Sequence, residues 1–258
     1  MEPDYMQDQA QHKVYIITGA GSGIGRACAE LLAQRDCRLT LVDFNSDALD
    51  NVAHELRQAG GPGTDDLLTL KLSVRSADDM QTMAQKTLER FGRIDCLVAS
   101  AGILRVGGSL KTIADTSLDD WNAVIETNLT GVFLSNQAVL TAMMEQKQGD
   151  IVNISSTSGK QGRPFDGPYS ASKFGIIGLS ESLAEEVSSH GVRVQTVLPD
   201  AVETPFWDQN GPAALKPVNV LPPDRVAEFI LFLMDLPRDT YLPNPVIAPM
   251  KQRRKRRK

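Results

Sequence analysis

Tyr169 and Lys173 stand four residues apart in Tyr169-Ser-Ala-Ser-Lys173, a spacing that lays a phenol and an ammonium side by side on one face of a helix. A cation close to a phenol lowers its pKa towards neutrality, which suits a general acid/base working on an alcohol or carbonyl oxygen. The spacing alone is common, and an ordinary helix with an unrelated Tyr and Lys also fits it. Ser156 changes that weighing. It lies 13 residues before Tyr169, just past the apolar run Ile151–Ser155, at a strand end of the kind where ligands meet doubly wound sheets.

A second constellation sits near the start of the chain, in Thr18-Gly19-Ala20-Gly21-Ser22-Gly23-Ile24-Gly25. Glycine here permits a tight turn, lets the backbone approach a pyrophosphate and allows close helix–sheet packing, while the helix that follows offers amide donors and its positive dipole end. Many strand–helix turns use two glycines, so the loop needs support from elsewhere. Asp43 supplies it, 18 residues past Gly25, where a carboxylate accepts hydrogen bonds from adenosine ribose hydroxyls and repels a 2′-phosphate. No Arg or Lys stands inside the loop or just after Asp43. The expected cofactor is NAD, with NADP disfavoured; the bland alternative is that Asp43 merely ends a strand.

These residues need a scaffold that alternates strands with helices. The pattern predicts strands at 14–18, 38–43, 67–72, 94–99, 151–155 and 192–198, with a short last one at 246–248. Helices are expected at 24–34, 46–59 with Ser46 as N-cap, 76–91, 117–146 in one or two pieces, 169–187 and 223–236. Strands apolar on both faces and separated by helices predict a single-domain, doubly wound parallel α/β sheet, Rossmann-like, with helices on both faces. The expected domain spans 11–249, with flexible tails at 1–10 and 250–258.

At 258 residues, 41% of them hydrophobic, the chain can bury a large core. Its formal charge of −5 hides an asymmetry: seven of the 27 Lys and Arg residues fall in 251–258, leaving 20 against 32 acidic residues before them. The body therefore has no general polyanion-binding character, and no nucleic-acid or membrane partner is expected beyond weak contacts of the basic tail. Three sparse cysteines, Cys28, Cys37 and Cys96, suggest a reduced intracellular protein rather than a disulfide scaffold or metal site. The polar N-terminus is unlike a signal peptide, and the expected location is cytoplasmic, the tail leaving nuclear import open.

Taken together these residues resemble the short-chain dehydrogenase/reductase family in its single-domain form, over about Lys13 to Pro205. The glycine motif matches at Thr18, Gly19, Gly23 and Gly25, the catalytic Tyr and Lys at Tyr169 and Lys173, the catalytic Ser at Ser156, and a relay Asn at Asn128. The resemblance implies that Tyr169 exchanges a proton with the substrate oxygen and that Ser156 hydrogen-bonds that oxygen. Lys173 would hold the nicotinamide ribose and depress the Tyr169 pKa, and Asn128 would order a water linking Lys173 to solvent. Implied cofactor contacts are Gly19, Ser22, Gly23, Ile24, Gly25, Asp43, Ser73, Val74, Ala101, Gly102, Tyr169, Lys173, Val202 and Thr204. The implied substrate is a secondary alcohol or ketone, and family habit implies a homodimer or homotetramer in which the long helices around Asn128 and Tyr169 pair.

Three departures bear on cofactor and substrate. Ala99-Ser100-Ala101-Gly102 keeps only the last two positions of the family's Asn-Asn-Ala-Gly, and Ser73 replaces the acid that usually meets the adenine, so looser cofactor binding is expected. Asp200 stands where the family has Gly, a turn that Asp tolerates in left-handed backbone. Asp200 and Glu203 could also place negative charge at the site mouth, favouring neutral or cationic substrates. A lid is expected at about 205–222, where Phe206 and Trp207 either cover an apolar substrate or simply pack; Arg163 and Phe165 are further candidates for the pocket wall. A dinucleotide-sensing protein without turnover and a fold relative performing isomerisation or cyclisation are the rival readings.

Overall fold

The structure, a computed structural model, describes residues 12–61, 63, 65–211 and 217–250. The N-terminal tail, residues 251–258 of the C-terminal tail and residues 212–216 of the expected lid lie outside the described residues. Seven strands form a parallel sheet in the order β3-β2-β1-β4-β5-β6-β7. They are β1 (Lys13–Thr18), β2 (Cys37–Asp43), β3 (Leu67–Lys71), β4 (Cys96–Ala99), β5 (Gly149–Ile154), β6 (Val192–Pro199) and β7 (Val246–Ile247). Chain order reverses between β1 and β4, and the crevice at such a switch point is where ligands of doubly wound sheets bind.

The helices are α1 (Gly23–Leu32), α2 (Ser46–Gln58), α3 (Ala77–Phe91), α4 (Leu118–Ile125), α5 (Gly131–Gln146), α6 (Gly167–Val187) and α7 (Pro223–Asp235). Successive side chains of a strand point to opposite faces, so the sheet feeds two cores. Tyr15, Ile17, Leu39, Leu41 and Val98 pack with α1, α2 and α7 on one face. Ile16, Val42, Leu97, Ile151 and Val194 pack with α3, α5 and α6 on the other. Burial on both faces explains why the strands read as continuous apolar runs rather than alternating ones.

One expectation is corrected in detail. The N-cap of α2 is Asn45, not Ser46: its side chain accepts from Ala48 N at 3.1 Å. Asp43 Oδ1 accepts from Asn45 N at 2.9 Å and so places Asn45 where the helix must begin. The segment 117–146 is one continuous helical path, in which a π turn at Glu126–Thr130 joins α4 to α5. The last strand is two residues long, as short as its sequence suggests.

Candidate active site

The carboxyl ends of the strands open onto a cleft of about 1180 Å³ that runs from Asp43 and the glycine loop to Tyr169 and the lid. At the first end, Gly19 has φ +70, and a Cβ there would lie 2.7 Å from Ala101 Cα. A Cβ on Gly25 would overlap the Gly19 carbonyl oxygen. Side chains at either position would therefore push β1, α1 and the segment after β4 apart. Ser22 caps α1 in extended conformation and makes no side-chain capping bond, so the first amides of α1 face the cleft with Ile24. This cradle fits a pyrophosphate.

Asp43 faces the same cleft, and its Oδ2 accepts from Gly21 N at 2.9 Å. The carboxylate thus fixes the glycine loop as well as presenting its charge to the cleft. Ser73 and Val74 line this end too. Ser73 Oγ accepts from Arg75 N at 3.3 Å, and Val74 packs where a Gly131 side chain would stand, 2.8 Å from Val74 Cγ2. Across the cleft, Thr204 closes on the glycine loop, its Cγ2 being 3.2 Å from the Cβ position of Gly23. Val202 is buried beside it and accepts from Trp207 Nε1 at 2.8 Å through its carbonyl.

The Ala99-Ser100 departure is offset in a way the sequence comparison missed. Ser100 Oγ donates to Thr18 O at 2.6 Å, tying the end of β4 to that of β1 through the neighbouring residue. Gly102 leaves room for Asn128, whose Oδ1 would be 3.2 Å from a Cβ there. Asn128 is fully buried; its Nδ2 donates to Ile103 O at 2.8 Å and to Ser172 Oγ at 3.1 Å, and its Oδ1 accepts from Ile103 N at 2.8 Å. With both N–H donors committed, the side chain braces the strand end against α6.

Ser156, Tyr169 and Lys173 meet as the spacing suggested. The end of β5 grips α6 twice: Lys173 Nζ donates to Ile154 O at 2.7 Å, and Ser155 Oγ donates to Lys173 O at 2.8 Å. The ammonium lies 5.5 Å from the Tyr169 ring centroid. Burial pushes the Tyr169 phenol up to about 12, opposed by its hydrogen bond with Ser156 and reinforced by the Asp166 charge. Burial pulls Lys173 down to about 7. In the protein alone, then, desolvation outweighs the expected lowering of the phenol by the nearby cation. Ser156 Oγ also accepts from Ser158 N at 3.1 Å, which orients it.

Phe206 and Trp207 pack on the site from the side of the expected lid. Phe206 packs on Tyr169 with ring centroids 5.7 Å apart and meets Trp207 edge-on at 6.2 Å, and both line the cleft. Gln209, which the sequence did not single out, fastens this lid: its Oε1 accepts from Leu104 N at 2.8 Å and Arg105 N at 3.2 Å.

Asp200 departs from expectation. Left-handed backbone among the described non-glycine residues falls on His12, Lys147, Phe165 and Asn244, not on Asp200. The ladder to β7 continues through it, Asp200 N donating to Ile247 O at 2.9 Å. Its carboxylate accepts from Thr157 Oγ1 at 3.0 Å and pairs with Arg163 at 3.4 Å, while Glu203 is exposed outside the cleft lining. Negative charge at the mouth is thus locally balanced. Arg163 lines the cleft, whereas Phe165 borders a small adjoining cavity beside Arg105. No group of His, Cys, Asp and Glu among the described residues could hold a metal ion.

Comparison with known proteins bears on this arrangement. The short chain dehydrogenase family profile matches residues 13–214. A 3-oxoacyl-[acyl-carrier-protein] reductase of Synechocystis is 37% identical over 236 residues, covering 89% of this chain and 92% of that protein. The alcohol dehydrogenase of the archaeon Thermococcus sibiricus, solved with 5-hydroxy-NADP, superposes with a TM-score of 0.82 at 31% identity, over 95% of this chain and all of that one. An actinorhodin polyketide ketoreductase variant solved with NADPH gives 0.81 at 32% identity, over 92% and 96%.

Proposed function

The chain belongs to the short-chain dehydrogenase family, and from that premise we propose that it moves a hydride between a nicotinamide cofactor and the carbon of a ketone or secondary alcohol, with Tyr169 as general acid/base. The observation that carries the reading is the Lys173 ammonium beside the buried Tyr169 ring, with Ser156 lining the same cleft as both and as the glycine cradle.

Each residue has a task that its surroundings support. Tyr169 gives its phenolic proton to a carbonyl oxygen, or takes one from an alcohol. Ser156, already oriented by the Ser158 amide, donates to that same oxygen. Lys173 would hold a ribose hydroxyl of the cofactor and, once protonated there, would favour the phenolate. Asn128 holds the Ile103 backbone and Ser172 and so keeps the cleft floor in register. Phe206 and Trp207 exclude water from the phenol. The cofactor, held by Gly19, Ser22, Gly23, Ile24, Gly25, Asp43, Ser73, Val74, Ala101, Gly102, Val202 and Thr204, supplies the hydride when bound.

Asp43 supports NAD(H) as the preferred form, because its charge and its bond to Gly21 stand where a 2′-phosphate would have to fit. The 5-hydroxy-NADP and NADPH bound to the two solved relatives give the contrary reading a concrete form. The names of the relatives support a ketone as substrate. Assembly as a homodimer or homotetramer, and a cytoplasmic setting consistent with three free buried cysteines, complete the proposal. No described helix is long and apolar enough to cross a membrane.

The test follows reduced-nicotinamide absorbance against a panel of ketones and secondary alcohols, with NAD(H) and NADP(H) in parallel. Turnover is expected with NAD(H), and Tyr169→Phe should lower it by about 10²–10⁴-fold while leaving cofactor binding largely intact. Full activity of that variant removes Tyr169 from its role; faster turnover with NADP(H) reverses the cofactor preference.

A further inference from the structure

The short turn Pro205–Asn210 is tied down near both of its ends. Towards its start the Trp207 indole Nε1 donates to Val202 O at 2.8 Å. Towards its end Gln209 Oε1 accepts from Leu104 N at 2.8 Å and from Arg105 N at 3.2 Å. Gly211 then runs so close to the same segment that a Cβ on it would lie 2.0 Å from Gly108 O. The segment it grips is anchored in turn. Asn128 holds Ile103 through both its N–H and its carbonyl at 2.8 Å, and Arg105 pairs with Asp166 just ahead of α6. The amides of three consecutive residues, Ile103 to Arg105, are thus bound by the side chains of Asn128 and Gln209.

Between the two anchors of the turn, Phe206 lies over the phenol. Its ring centroid is 5.7 Å from that of Tyr169, Trp207 meets it edge-on, and Ile103 and Leu104 join the same apolar cluster. Charge in the cleft is committed elsewhere. Among the described lining residues the cations are Arg75, Arg163 and Lys173. Arg75 pairs with Glu126, Arg163 with Asp200, and Lys173 donates to Ile154 O. A carboxylate or phosphate on the substrate would meet no uncommitted cation there, and burying it against aromatic rings is costly.

We infer that Gln209 is a positioning residue for the substrate: it holds Phe206 and Trp207 as an apolar wall over the phenol, and that wall takes the carbon skeleton of an uncharged ketone. The inference rests on the reading of Tyr169 as acid/base on a carbonyl oxygen. A wall that touches the skeleton rather than the reacting oxygen contributes alike in the ground and transition states, so displacing it raises KM and spares kcat. The latch depends on acceptor chemistry. A carboxylate at position 209 can accept from both amides, whereas an alkyl group can accept from neither.

The chain has two tryptophans, so full-length protein carrying Trp121→Phe reports on Trp207 alone. Acetophenone and 4-acetylbenzoate, ketones that differ by one carboxylate, are the probes, each with NADH and with NADPH. Gln209→Leu should raise KM for acetophenone by about tenfold, leave kcat within about twofold and open Trp207 to acrylamide quenching, with NADH affinity unchanged. Gln209→Glu should restore both KM and quenching. The wild type should prefer acetophenone by at least about tenfold in kcat/KM. An unchanged KM in Gln209→Leu, or a loss confined to kcat, overturns the positioning role; equal kcat/KM for the two ketones overturns the uncharged class. If Gln209→Leu does not fold, Gln209→Asn, one methylene short of the two donors, is judged by the same criteria. Absence of turnover with both ketones counts against hydride transfer and leaves the wall testable by titrating Trp207 emission with acetophenone. Tighter binding to the wild type than to the position-209 variant then supports the wall, and equal binding overturns it.

Discussion

Lys173 is a charged group in a place that penalises charge, buried against the end of β5 with its ammonium on the Ile154 carbonyl. Burial brings its pKa to about 7 from an ordinary value near 10.5. Between those values the unfolded chain binds more protons than the folded one, so stability rises with pH across that window and is flat below it. Against Lys173→Met, the wild type should be at its greatest disadvantage at pH 7 and below. It should recover by up to about 4 kcal/mol towards pH 10. Urea unfolding of both proteins without added cofactor, at several pH values, measures this; a difference independent of pH would mean that Lys173 titrates normally. Asp43 poses the complementary residue-scale question, since it carries charge and also accepts from Gly21 N. Asp43→Asn keeps an acceptor and removes the charge. Relative affinity should move towards NADP+ by about tenfold, roughly 1.4 kcal/mol, as read by competition binding.

At the scale of elements, the cradle exists because β1, α1 and the end of β4 come closer than side chains allow. Gly25→Ala would press a Cβ onto the Gly19 carbonyl, which is backbone and has little room to shift. The loop must then open. Cofactor affinity should fall by at least about tenfold, and stability by about 1–3 kcal/mol; NADH fluorescence titration and thermal melts measure the two. The glycine loop, the order of strands and helices and the Ser156–Tyr169–Lys173 set were legible because each rests on local rules: period, turn chemistry and helical spacing. What the sequence concealed were bonds between elements distant in the chain. Ser100 offsets Ala99 by reaching Thr18, and Gln209 fastens the lid to Leu104 across 105 residues. Nothing in their spacing marks either residue. The Asp200 turn was misjudged for the same reason, because its backbone conformation is set by the ladder to Ile247.

At the scale of the whole molecule, α5 and α6 each expose a large aromatic in their first halves, ahead of polar positions such as Gln137 and Glu145 on α5 and Glu181 and Glu185 on α6. Phe133 on α5 and Phe174 on α6 are more than two-fifths exposed there, and Leu118 and Trp121 extend the apolar surface onto α4. A Cβ on Gly178, one turn beyond Phe174, would meet nothing within 4 Å. Large exposed aromatics beside open backbone are costly in a monomer and suit close approach by the same helices of a second copy. Such an association would bear on catalysis, because α6 carries Tyr169 and Lys173 and α5 follows closely on Asn128. Sedimentation should therefore show a dimer or tetramer, and Phe133→Glu with Phe174→Glu should shift it towards monomer. If the helices depend on that contact, the same variant loses turnover together with mass, and both return at high protein concentration. A fully active monomer would mean that α6 holds its catalytic face through the β5 grip alone.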